Sequence, residues 1–137
     1  MKHGWSLGFL IAVSLTADPG KAVSDGDASK GEKLFYGFLR CSTCHSLEPG
    51  VNKVGPTLAG LFGKKAGSDE GFDRYSESMV NSGVIWSEDT LGNFLADPQK
   101  FIPGNTMIEG GYRVVGRVSS GRHRADLIAF LKEATVE

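Results

Sequence analysis

Cys41-Ser42-Thr43-Cys44-His45 is the stretch whose reading decides the fold. Two thiols three positions apart, with an imidazole directly after the second, form the attachment pattern of a c-type haem. The thiols would add across the two vinyl groups and tie the macrocycle to one turn of backbone. His45 would stand under the iron as its proximal ligand. A zinc knuckle would need two more soft ligands, and the chain has no third cysteine. A redox disulfide would sit in a βαβ pattern, which the flanking sequence lacks.

Outward from the motif, 137 residues make one domain with one modest core. The formal charge of -1 gives no sign of nucleic acid as a partner. Nineteen glycines are about twice the usual share of roughly 7%. Much of the chain should therefore be loop and turn, as suits a small protein wrapped around a large rigid cofactor. Residues 1–22 read as a secretory signal peptide. Lys2 and His3 are mildly basic, Trp5 to Leu15 is apolar but too short to span a bilayer, and Gly20-Lys21-Ala22 offers small residues to a peptidase. The alternative is a retained N-terminal anchor. Export predicts a periplasmic location, with residues 23–137 as the mature domain. Both cysteines lie in the haem motif, so none remains to form a disulfide.

Helical spacing predicts a first helix over Asp27–Leu39, with Gly31, Leu34, Phe35 and Phe38 on its apolar face. Residues 46–71 read as loop, punctuated by Pro49-Gly50 and Gly55-Pro56, with Lys53, Lys64 and Lys65 as solvated side chains. A short helix is expected over Tyr75–Asn81. Trp86 stands alone among polar neighbours, as an indole with a buried partner would. Ser87 and Thr90 cap a helix that carries Leu91, Phe94 and Leu95 inward and that Pro98 ends. Phe101–Met107 reads as an extended loop, 109–121 as a glycine- and arginine-rich surface excursion, and Arg122–Thr135 as the last helix.

The second axial position decides between a carrier and an enzyme. With the leader gone, the candidates are Met107, Met79 and His123, or an open iron. Met107 leads, because a proline-bounded loop can present a thioether without helical constraint. Met79 suits the core and His123 the surface. A thioether ligand raises the reduction potential and blocks small molecules, which favours electron transfer.

In order, Gly26-Asp27…Gly31…Phe35, the haem motif, Gly55-Pro56-x-Leu58, Gly60-Leu61-Phe62-Gly63, Gly71-Phe72, Tyr75-Ser76, Trp86, Leu91…Leu95, Asp97-Pro98, Ile102-Pro103-Gly104-x-x-Met107 and Arg124-x-Asp126-Leu127-Ile128-Ala129-Phe130-Leu131 form one pattern. The chain so resembles class I cytochrome c, in particular bacterial periplasmic relatives of the mitochondrial protein. The resemblance implies an all-α fold with the first and last helices crossing at Gly31/Phe35 against Leu127/Phe130. It implies one haem c on Cys41 and Cys44, with His45 and Met107 as iron ligands. It implies further that the Pro56 carbonyl orients His45 and that Tyr75 and Trp86 donate to a propionate. Three departures stand out. Lys64 replaces an arginine near the propionates, Glu109 replaces an aromatic in a stretch about six residues longer, and Phe94 replaces a tyrosine that bonds the ligand sulfur.

The function implied is that of a soluble, monomeric one-electron carrier. It would shuttle between membrane redox complexes such as a bc-type complex, a terminal oxidase or a photosynthetic reaction centre. A peroxidase-like haem enzyme would need an open iron, and a tethered redox module a retained N-terminus. Arg113, Arg117, Arg122 and Arg124 are a candidate docking patch.

Overall fold

The computed structural model describes residues 26–107 and 117–136. They form α1 (Ala28–Lys33), a π-helical turn (Leu34–Phe38), a 3₁₀ turn (Cys41–Thr43), α2 (Glu77–Asn81), α3 (Glu88–Ala96), α4 (Pro98–Phe101) and α5 (Gly121–Ala134). The fold is all-α: no strand forms among the described residues, and an isolated antiparallel bridge joins Lys65 to Ile85.

The first and last helices cross with their backbones in contact. A Cβ on Gly26 would lie 1.9 Å from the Ala125 carbonyl oxygen, and one on Gly31 would lie 2.0 Å from that of Asp126. Only glycine permits so close an approach. A buried carboxylate fixes the crossing. Asp126 accepts the Asp27 backbone N–H at 2.7 Å and faces Arg122 at 3.3 Å, while the Asp27 side chain caps α1 by accepting from Lys30 N. Beside the crossing, Phe35 packs on Phe130 with ring centroids 5.5 Å apart. Burying a phenylalanine in this way is worth about 1.5–3 kcal/mol.

The first helix departs from its expected register. After Lys33 the chain widens to an i→i+5 bond, Leu39 N to Leu34 O at 2.9 Å. The wider turn rotates the later positions about the helix axis. Leu39 takes the inward position, and Phe38, expected on the apolar face, is 70% exposed with its ring edge toward His123. Arg40 then adopts a left-handed conformation (φ 55°) that turns the chain into the cysteine motif.

The middle of the chain is loop, as its glycine content implies, but hydrogen-bonded loop. Bonds from Gly63 N to Trp86 O, Trp86 N to Lys64 O and Ala66 N to Val84 O clamp two distant segments together. Gly60 N reaches Thr135 O at 2.8 Å, tying the loop to the end of α5. Ser87 and Thr90 form the reciprocal capping box of α3. Pro98 does not merely end α3. Asp97 closes that helix and caps the next, and Pro98 opens α4 at a position where its missing N–H costs nothing. The expected extended loop from Phe101 therefore begins one residue later, after a short helix.

Gly31→Ala should lower the denaturant midpoint of the folded protein by an amount equivalent to about 1–3 kcal/mol, the usual cost of overpacking. Gly37, where an added Cβ meets nothing within 4 Å, is the control. Gly37→Ala should be neutral or slightly stabilising, and equal losses at both sites would refute the close-crossing account.

Candidate functional site

The motif sits where the π-helical turn meets the loop region. In the 3₁₀ turn, three residues per turn bring positions i and i+3 to the same side. Cys44 N bonds Cys41 O at 3.1 Å and His45 N bonds the same oxygen at 2.9 Å, so both sulfurs and the imidazole leave one knot of backbone. The two thiols are unpaired, and burial pushes that of Cys41 up to about 11.

His45 is held from behind. Its Nδ1 lies 2.7 Å from the Pro56 carbonyl oxygen, which can only accept, so Nδ1 carries the proton and Nε2 keeps its lone pair. Burial pulls the imidazole below its usual pKa and favours this neutral form. Gly55 makes room for the ring: a Cβ there would lie 2.5 Å from Cε1. Polar side chains fix the loop that carries Gly55 and Pro56. Asn52 Oδ1 accepts from Thr57 N, Thr57 Oγ1 donates to Glu48 O, and Lys53 Nζ donates to Ser42 O, each at 2.7 Å. Arg74 adds a bond to Lys53 O.

Cys41, Cys44, His45, Pro56, Tyr75, Trp86 and Met107 all line one cavity of about 340 Å³. Met79 and Lys64 line it too. His123 does not: it stands against Phe38 on another face, as its surface assignment requires. Tyr75 packs edge-on against Phe72, and burial raises its phenol further above neutrality, which keeps it a hydrogen-bond donor. Trp86 is buried edge-on against Phe94, with ring centroids 5.2 Å apart. Lys64 and Lys53, expected as solvated side chains, each donate to a backbone carbonyl, Lys64 to Ala59 O at 2.8 Å.

The residues fit a covalently attached haem. Both thiols and the imidazole, whose Nε2 keeps its lone pair, line one largely apolar cavity, and Met107 lines it from a different loop. The sequence did not single out Asn52, Thr57, Gln99 or Asn105, which shape the two loops. Their signal was weak, being only amide and hydroxyl residues beside Gly-Pro and Pro-Gly turns. The arginine patch changes character. The Arg124 guanidinium donates to Val118 O and Ser119 O, and Arg122 faces Asp126, so both are engaged within the fold. Arg117 is exposed and lines the cavity. Arg113, Glu109 and residues 1–22, expected above to be a leader, lie outside the described residues.

A cytochrome c from Gibberella zeae is 42% identical over 114 residues, 82% of this chain and 99% of that protein. One from Stellaria longipes is 44% identical over 112 residues, covering 81% and 95% of the two chains. One from Theileria parva is 39% identical over 119 residues, covering 86% and 95%. No protein-family model matches. These relatives come from a fungus, a plant and a protozoan parasite, eukaryotes without a periplasm, and the periplasmic location expected above is thereby overturned. The physical reason is that a basic start and a short apolar run describe composition, and composition does not name a compartment.

Gly55→Ala would press a methyl group into the His45 ring. The holoprotein should lose about 1–3 kcal/mol of stability by denaturant titration, with a perturbed visible spectrum. A variant with unchanged midpoint and unchanged spectrum would show that the ring does not depend on this clearance.

Proposed function

The chain belongs to the cytochrome c family, and from that premise we propose how its residues serve the family's function. The protein is an electron carrier with one covalently attached haem c, and not an enzyme. Cys41 and Cys44 are the attachment residues. When haem is supplied, each thiol would add across a vinyl C=C, sulfur to one carbon and hydrogen to the other, with no oxidant required. His45 and Met107 are the iron ligands, Pro56 orients His45, and Tyr75 and Trp86 donate to a propionate. The haem, when bound, supplies the reversible Fe(III)/Fe(II) change. Everything else is the work of the chain. It holds a neutral imidazole by its far nitrogen, brings a thioether from a different loop, and lines the cavity between them mainly with apolar side chains.

One observation carries this reading: seven residues spread from 41 to 107 meet on one cavity while the Pro56 carbonyl holds the far nitrogen of His45. The partners we infer are membrane redox complexes such as a bc-type complex, a terminal oxidase or a photosynthetic reaction centre. The carrier meets them as a monomer. Residues 1–22 we read as a cleavable leader, a reading that the mass of the purified protein tests.

A reduced-minus-oxidised visible spectrum, with the near-infrared thioether–iron band, tests attachment and ligation together. Both signatures should be present, and Cys41→Ala or Cys44→Ala should prevent stable accumulation of a two-thioether product. Normal accumulation of such a product from either variant would refute the attachment. Phe94 yields a separate expectation. It is 4% exposed and lines the cavity that Met107 also lines, and it stands where the family's pattern has a tyrosine that bonds the ligand sulfur. Phe94→Tyr should raise the reduction potential by a few tens of millivolts, the scale of about 1 kcal/mol for one electron. A flat or lowered potential with the near-infrared band intact would contradict it.

A further inference from the structure

We propose that Asn105 is the positioning residue that sets where Met107 stands in the cavity. The proposal rests on the reading of Met107 as the second axial ligand.

Asn105 is 1% exposed, among the most buried side chains described, and it is polar. A buried amide persists only where its groups are paired. Here they are paired in a way that fixes its direction. Nδ2 donates to Pro98 O and to Ile102 O, both at 2.8 Å, and Oδ1 accepts from Met107 N at 3.2 Å. Flipping the amide would set an oxygen against two carbonyl oxygens and an NH₂ against an N–H, so only one orientation is satisfied. The side chain is thus a rigid link with two feet on α4 and its turn, and one hand on the Met107 peptide.

The feet are firm. Pro98 is fully buried with a fixed φ, Asp97 caps α4, and Ile102 is 3% exposed. Gln99 straps the same turn from outside: its Nε2 donates to Asn105 O at 2.7 Å and its Oε1 accepts from Gly104 N at 3.2 Å. Gly104, at φ 86°, supplies the left-handed bend between them. Met107 itself is 42% exposed and ends in three freely rotating bonds. A side chain so flexible points reproducibly only if its backbone is held. Among the described residues, the partner of its N–H is Asn105.

A staple that merely stabilised the loop would change the melting temperature and nothing at the iron. A positioning residue changes ligation in protein that is still folded. The test therefore uses holoprotein of Asn105→Ala and Asn105→Ser, with circular dichroism confirming native helix content. Its readouts are the near-infrared thioether–iron band and the rate at which cyanide displaces the sixth ligand of Fe(III). Asn105→Ala should weaken the band and speed cyanide binding at least about tenfold, a factor that corresponds to about 1.4 kcal/mol. Asn105→Ser keeps one donor and one acceptor at shorter reach and should fall between wild type and alanine. Gln99→Ala, which leaves the interior bonds intact, should stay within about threefold of wild type.

A full-strength band and wild-type cyanide kinetics in folded Asn105→Ala would overturn the proposal. If that variant yields no folded holoprotein, wild-type values in Asn105→Ser overturn it equally. Failure of the underlying reading has a different signature. The band would be absent from the wild-type protein, or would survive in Met107→Ala.

Discussion

The contact on which the rest of this structure depends is that of two helix backbones with no side chain between them. At Gly31, and at Gly26 just before its cap, the first helix lies directly on Ala125 and Asp126 of the last. Two segments about a hundred residues apart are thereby brought together, and closing so long a loop carries an entropic cost that local contacts cannot offset. The packing of Phe35, Leu127, Phe130 and Leu131 offsets it, and the buried Asp126 sets the register by accepting the Asp27 N–H. From that crossing the chain has a fixed exit. Leu39 is buried, Arg40 turns through a left-handed conformation, and Cys41 starts the attachment knot on the cavity that Leu127 and Leu131 also line.

The site is built almost wholly from irregular backbone. Each peptide group in a loop needs a partner, and no ladder or helix supplies one. In the segment carrying Pro56, the partners are the side chains of Asn52 and Thr57. In the segment carrying Met107, they are Asn105 and Gln99. The two sides of the cavity therefore share a construction: a turn with adjacent glycine and proline, Gly55-Pro56 or Pro103-Gly104, whose shape is set by short polar side chains rather than by hydrophobic burial. Hydrogen bonds of this kind are worth about 1 kcal/mol each in net stability. Their larger contribution is directional: Asn52, Thr57 and Asn105 set the backbone of the loops that carry Pro56 and Met107 from within, while Gln99 braces its turn from outside.

The attachment motif was legible because its chemistry demands fixed spacing, and so were α3 with its capping box and α5 within a residue at each end. The helix over Tyr75–Asn81 shortened to Glu77–Asn81 because Ser76 caps it. Phe38 was misplaced because helical periodicity assumes a constant turn, whereas an i→i+5 bond at Leu34–Leu39 shifts every later position. Pro98 was read as a stop because proline punctuates helices in both senses. Only the conformation of Asp97 shows that it also starts one. Asn105 could not have been found, since its importance lies in three distances that no spacing encodes. The compartment was misread for a related reason: a leader-like composition carries no destination.

The two flanks of the cavity differ in how far their anchors lie from one another along the chain. His45 and the group that orients it are eleven residues apart, and the thiols beside His45 fasten the same backbone knot. Met107 is held by a turn that reaches the rest of the fold through α4, Asn105 and the packing of Ile102, more than fifty residues from the motif. Stability in a folded protein is not uniform, and segments with few buried apolar anchors open at lower free energy than the core. The thioether side has that character, with Met107 and Thr106 exposed and Ile102 and Asn105 as its buried anchors. On the proposed reading of His45 and Met107 as iron ligands, a carrier must keep both through each change of iron charge, so the less deeply packed side needs the more exact hydrogen bonding. That requirement accounts for a fully satisfied amide, rather than another leucine, beneath the methionine loop.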